Sequence, residues 1–167
     1  MADVGHLEIE LHRDWILITY DIPRVHDGVR KKVIRDLRKM GAMRHTDSVY
    51  YLPYSSKACE VAATLPGQAY VWRAGPTSDT QAKRLTQDYF NRIKEGLQKL
   101  HERLDILEEE LPWLAPEARQ DRFNYTVQLF ESLKAAANNI GLLVYEGLAD
   151  IGQKIEAVRE RVWGAGT

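Results

Sequence analysis

Apolar and polar positions follow three regimes along the chain. From Trp15 to Ile22 the run Trp-Ile-Leu-Ile-Thr-Tyr-Asp-Ile is almost unbroken in its apolar character. This is the pattern of a strand near the centre of a sheet, covered on at least one face. Asp21 stands at its end, and Pro23 stops pairing because it has no N–H to give. The period then lengthens. Val29, Val33, Leu37 and Met40 fall on one side of a helix with Ile34 beside them, which predicts a helix capped by Asp27 and running to about Met40. Gly41 supplies the left-handed residue that ends it. Period-two runs return at Ala42–Thr46 and Ser48–Pro53, joined near Asp47, with Met43, Val49 and Tyr51 facing inward. Ser55 or Ser56 caps a short helix to about Leu65, with Ala58, Val61, Ala62 and Leu65 as its apolar side. Ala69–Ala74 reads as a last strand between the turns Pro66-Gly67 and Gly75-Pro76. Ahead of all this, Leu7, Ile9 and Leu11 alternate with Glu8, Glu10 and His12, which fits either a short edge strand or an unstructured lead-in.

After Ser78 the spacing settles at three and four. Leu85, Tyr89, Ile93, Leu97, Leu100, Leu104, Leu107 and Leu111 form a near-heptad seam on one amphipathic helix of ~30 residues, ~45 Å long. Pro112 to Pro116 breaks it. A second seam runs from Phe123, Val127, Phe130 and Leu133 through Ala137, Ile140, Val144 and Leu148 to Ile151, Ile155, Val158 and Val162. Gly141, Gly147 and Gly152 weaken this arm, and a kink or break is expected near Asn138–Gly141. The expected fold is α+β. A ferredoxin-like domain in the order βαββαβ occupies residues 13–76, and a long antiparallel helical hairpin occupies 77–163. The second arm outlasts the first, so part of its seam must fold back on the sheet or be covered by a second subunit.

Composition narrows the setting. A chain of 167 residues suits one domain, or one small domain with an appendage. The single cysteine, Cys59, makes no internal disulfide, which fits a reducing, cytoplasmic environment. No apolar run reaches the ~18 residues of a membrane span, and the acidic start is unlike a signal peptide. No membrane partner is expected.

Net charge is only −1, but the charge is segregated. Residues 23–44 hold eight Lys and Arg against two acids, whereas residues 77–167 hold twelve against fifteen. Arg24, Arg30, Lys31, Arg35, Arg38, Lys39 and Arg44 are therefore candidate contacts to the phosphates of DNA or RNA, with Lys32 on the same helix. Such contacts give affinity without reading sequence. The competing reading is an ordinary solvated helix face. His26 and His45 lie in no ligand spacing and read as surface or strand residues. Tyr50, Tyr51 and Tyr54 have the ring faces to stack on bases, but strand packing accounts for them more simply. There is no glycine-rich phosphate loop, Ser/His/Asp set or Cys/His cluster, and the residues themselves call for no cofactor.

Residues 17–53 resemble the Cas2 family of CRISPR-associated proteins and the related N-terminal domain of the ChrB chromate-resistance regulators. The resemblance is carried by Tyr20-Asp21-Ile22 at the end of the first strand, by Arg30 and Val33, by Leu37 and Gly41 at the helix end, by Arg44, and by Ser48-Val49-Tyr50. It implies a ferredoxin-like fold and a homodimer. It also implies that Asp21 of each copy faces its mate and can hold Mg²⁺ or Mn²⁺, ions that prefer oxygen ligands and can activate water at a phosphodiester. Two departures stand out. Thr46 occupies a place where Cas2 proteins usually carry Gln, and the long helices have no Cas2 counterpart. Those helices, with Asp88-Tyr89 in the first, are more like the ChrB N-terminal region. No counterpart of the chromate-responsive ChrB region is present, so chromate sensing is not implied.

Three functional expectations follow. The first is a non-enzymatic, nucleic-acid-associated regulatory or architectural protein, homodimeric, with the basic helix on phosphate. The second is a metal-dependent nuclease with Asp21 as both metal ligand and catalytic residue. The third is an assembly module that recruits a protein partner through the helical hairpin.

Overall fold

The computed structural model describes residues 9–22, 26–66, 69–142 and 146–164. It is an α+β protein. Strands β1 (Trp15–Tyr20), β2 (Met43–Thr46), β3 (Val49–Pro53) and β4 (Ala69–Ala74) form one sheet in the order β2-β3-β1-β4. Every neighbouring pair is antiparallel, with Leu17 opposite both Tyr51 and Trp72. Helix α1 (Asp27–Lys39) joins β1 to β2, and α2 (Ser56–Ala63) joins β3 to β4. Beyond the sheet come α3 (Asp79–Glu110), a 3₁₀ turn at Leu111–Trp113, α4 (Pro116–Asn139) and α5 (Glu146–Gly164). None of the described helices is long and apolar enough to cross a membrane.

Alternation on β1 divides the sheet into two faces. Ile16, Ile18 and Leu52 are buried together with Val33 and Leu37 of α1 and Ala58 and Ala62 of α2. On the opposite face Trp15 and Tyr51 meet Tyr89 of α3, with ring centroids 5.7 and 5.9 Å from it. The seam of α3 is buried from Tyr89 to Leu111. α4 packs on α3, and α5 packs on both.

The second arm consists of two helices, and the break between them falls in the Asn138–Gly141 stretch where the sequence places a kink or break. The chain breaks at Ile140–Gly141, and Gly141 takes a positive φ of 74°. After that break α5 turns back, and its Leu148, Ile151, Ile155, Val158 and Val162 are buried within the chain itself. The surplus seam needs no second subunit to cover it. Val144 lies outside the described residues, as do Leu7, Pro23, Arg24 and Gly67. Residues 9–14 form no strand, although His12 N–H donates to Thr86 Oγ1 at 3.3 Å.

Several local expectations change. Asp27 is the first residue of α1 and pairs with Lys31, while His26 occupies the cap position with no side-chain bond. β1 ends at Tyr20, before Asp21. Val29 and Val61 are exposed, because α1 and α2 bury narrower stripes than their apolar content suggests. Ser55 caps α2 by accepting from Ala58 N–H, and Ser78 caps α3 by accepting from Gln81 N–H.

A buried polar lock holds the turn after α1 against the long helices. Tyr89 Oη donates to the Gly41 carbonyl at 2.6 Å. Asn139 Nδ2 donates to the Met40 carbonyl at 2.8 Å and to Tyr89 Oη at 3.2 Å. Burial pushes the Tyr89 phenol far above its usual range, so it stays a neutral donor. Tyr89→Phe leaves the Gly41 carbonyl without this donor. It is expected to lower unfolding free energy by about 1–3 kcal/mol in urea, with an unchanged denaturant slope. A change below about 0.5 kcal/mol would mean that the bond contributes nothing.

Candidate nucleic-acid interface

The cations of α1 are not equivalent. Lys31, Arg35 and Arg38 recur at four and three residues and so share one flank of the helix. Lys32 and Lys39 lie about a quarter turn further round the helix. Lys31 pairs with Asp27 at 2.6 Å, Lys32 pairs with Asp36 at 2.7 Å, and Arg44 pairs with Asp47 in the β2–β3 turn. These are exposed pairs that contribute little to stability and can be exchanged for other anions. Arg30, Arg35, Arg38 and Lys39 make no ion pair among the described residues.

Arg38 and Arg44 open into a cleft of about 400 Å³ between the α1–β2 corner and helices α3 and α4. Its floor is apolar, from Met43, Leu100, Leu129 and Leu133. Across the cleft stand Arg92, Lys99 and Arg103 of α3. Five cations therefore face one carboxylate, Glu95, and all five are exposed. Tyr50 closes the floor. Burial pushes its hydroxyl up, and the nearby guanidinium groups of Arg38 and Arg44 act against that shift. Like charges held this close make a local positive potential with a low-dielectric wall behind it, which draws anions in. Gly96 allows α3 and α4 to pack closely on the far side of the cleft, because a Cβ there would lie 2.6 Å from Leu133 Cδ2.

The sequence-predicted set is therefore divided. Arg38 and Arg44 line the cleft, and Lys31 and Arg35 lead away from it along α1. Lys39 lines a different hollow with Lys57 and Asp36. Arg30 is half-buried on α1, and Arg24 lies outside the described residues. Asp21 is exposed just beyond β1. Among the described residues no group of three or more His, Cys, Asp or Glu side chains is placed to hold a metal ion. Tyr50 and Tyr51 are buried, so neither ring face is free for a base. Tyr54 is covered by the Arg73 guanidinium, 3.9 Å from its ring centre.

Arg92, Lys99 and Arg103 are what charge counting misses. Their segment is nearly neutral, because acids alternate with the cations along α3. Their spacing of seven and four carries the signal, since it puts all three on one face of the helix. That this face looks across at Arg38 depends on the tertiary packing. Compared with known proteins, the chain matches no family model and no curated sequence.

Proposed function

We propose that this protein binds the phosphate backbone of nucleic acid in the cationic cleft, as a non-enzymatic regulatory or architectural factor. The observation that carries this reading is the convergence of Arg38 and Arg44 with Arg92, Lys99 and Arg103, cations from two separate parts of the chain, on one cleft. Phosphate contacts of this kind confer affinity and orientation without sequence reading. The element order βαββαβ with strands in the order β2-β3-β1-β4 supports a ferredoxin-like assignment for the first half. The likeness to Cas2 and ChrB points the same way. Pairing of two copies is part of the proposal on that likeness alone, because the α5 seam is already covered.

Binding of this kind needs no metal. A titration in EDTA therefore separates it from the cleavage that a Cas2-like Asp21 would support. Fluorescence anisotropy of labelled DNA and RNA in EDTA is expected to show saturable binding. With three to five phosphates contacted, affinity should fall roughly 20- to 500-fold between 50 and 200 mM salt. Absence of binding at 50 mM salt would overturn the reading.

A further inference from the structure

The sheet face that α3 crosses is covered at one end only. Tyr89 seals it over Trp15 and Tyr51, whereas at the other end Tyr70 and Trp72 of β4 are 68% and 54% exposed. Register puts Tyr70 opposite Thr19 and Trp72 opposite Leu17, so both rings stand on this face. Their centroids are 6.4 Å apart. Trp72 Nε1 donates to Thr19 Oγ1 at 3.1 Å, which fixes the indole against the sheet. Two large rings held side by side in water are a costly thing to leave on a surface without a use.

Beside them is a second cleft of about 400 Å³, between Leu17 and Tyr51 of the sheet and Leu85 of α3, with His45 and Arg84 at its margin. Arg84 begins a line of polar residues along α3. Arg84, Asp88, Arg92, Glu95, Lys99 and Arg103 follow at spacings of four, four, three, four and four, a single flank ~28 Å long. Four of the six are cations. Arg92 also lies beside Tyr51, whose hydroxyl is pushed up by burial and drawn back by that guanidinium. The line therefore joins the aromatic end of the sheet to the cationic cleft.

We propose that this face is a platform for single-stranded nucleic acid. Bases stack on Tyr70 and Trp72, and the backbone follows the α3 cations from Arg84 toward Lys99 and Arg103. Single strands are the fitting partner because only unpaired bases expose faces to stack, and stacking on aromatic rings beside a cationic track tolerates any sequence. A duplex reaches only the phosphate contacts. This inference rests on the proposed function and adds to it a strand type and a second contact surface.

The test compares wild type, Tyr70→Leu/Trp72→Leu and Tyr70→Phe/Trp72→Phe, using labelled oligo-dT and a duplex of mixed sequence, both in EDTA at 50 mM salt. Thermal melts confirm that the variants fold, and sedimentation velocity reports their assembly. Wild type is expected to bind oligo-dT more tightly than duplex and to lose tryptophan fluorescence on doing so. The leucine variant should lose about tenfold or more in oligo-dT affinity while duplex binding holds, and the phenylalanine variant should recover most of the loss. Duplex binding with oligo-dT affinity equal in all three proteins overturns the platform and leaves the cleft standing. A dimer that the leucine variant dissociates, with oligo-dT binding unchanged, assigns the face to a second copy and also overturns it. Failure of wild type to bind either oligonucleotide removes the cleft reading and the platform together.

Discussion

Replacing Gly41 with alanine is expected to destabilise the protein by at least about 3 kcal/mol. Gly41 has φ of 77°, where a Cβ meets its own backbone. The environment adds more. A Cβ there would lie 2.4 Å from Ala136 N, 2.6 Å from Ala136 Cα and 2.8 Å from the Ala135 carbonyl carbon. These are backbone atoms of α4, which cannot step aside as a side-chain tip can. The turn and α4 must separate, and the bonds from Tyr89 and Asn139 that hold this corner weaken together. A fall in melting temperature of roughly 6–12 °C should result. Gly141 is the internal control. It has a similar φ of 74° but nothing within 4 Å of its would-be Cβ, so alanine there carries conformational strain only, about 1–2 kcal/mol. Equal costs at the two sites would show that close approach to α4 is not what Gly41 provides.

Reversing charge in the cleft should have the largest effect on binding. Arg38→Glu/Lys99→Glu/Arg103→Glu is expected to weaken DNA and RNA binding by at least about 100-fold at 50 mM salt, because three contacts become repulsions. All three side chains are exposed, so folding should be little affected. A charge-matched reversal at Lys57, Arg159 and Arg161, which lie outside the cleft, should bring only the small loss that net charge alone causes. Equal losses from the two triple variants would mean that binding senses total charge and has no site.

Most of the sheet is legible in the sequence for simple physical reasons. The run Trp15–Tyr20 is almost unbroken in apolar character because one face of β1 is buried throughout and the other is buried at its Trp15 end. β4 is bounded by turn residues on both sides, and its limits are those expected. Gly41 is readable as a helix stop because so few residues tolerate its conformation. The break at Gly141 is foreshadowed by the glycines around it. The return of α5 is less legible, since a buried seam looks the same whether the helix continues or doubles back. Val29 and Val61 mislead because apolar character marks a helical face without saying how wide the neighbour is.

The candidate site is only half legible. Arg38 and Arg44 stand out in a basic segment, whereas Arg92, Lys99 and Arg103 are hidden by the acids between them. Local charge counts average over a helix, but a ligand meets one face of it. Tyr50 and Tyr51 are buried by the packing of the sheet, as the simpler reading of their alternation expects. The aromatic pair left in the open, Tyr70 and Trp72, sits on a strand whose alternation alone could not say which face lacks a cover.

The measurement that tests the cleft most directly is the salt dependence of nucleic-acid affinity in wild type and in Arg38→Gln/Lys99→Gln/Arg103→Gln. Log affinity plotted against log salt has a slope set by the number of phosphates neutralised. If these three side chains contact phosphate, the slope should become shallower by about 0.7 to 0.9 for each cation removed. Parallel lines for the two proteins would contradict the account, because binding would then be taking place elsewhere on the molecule.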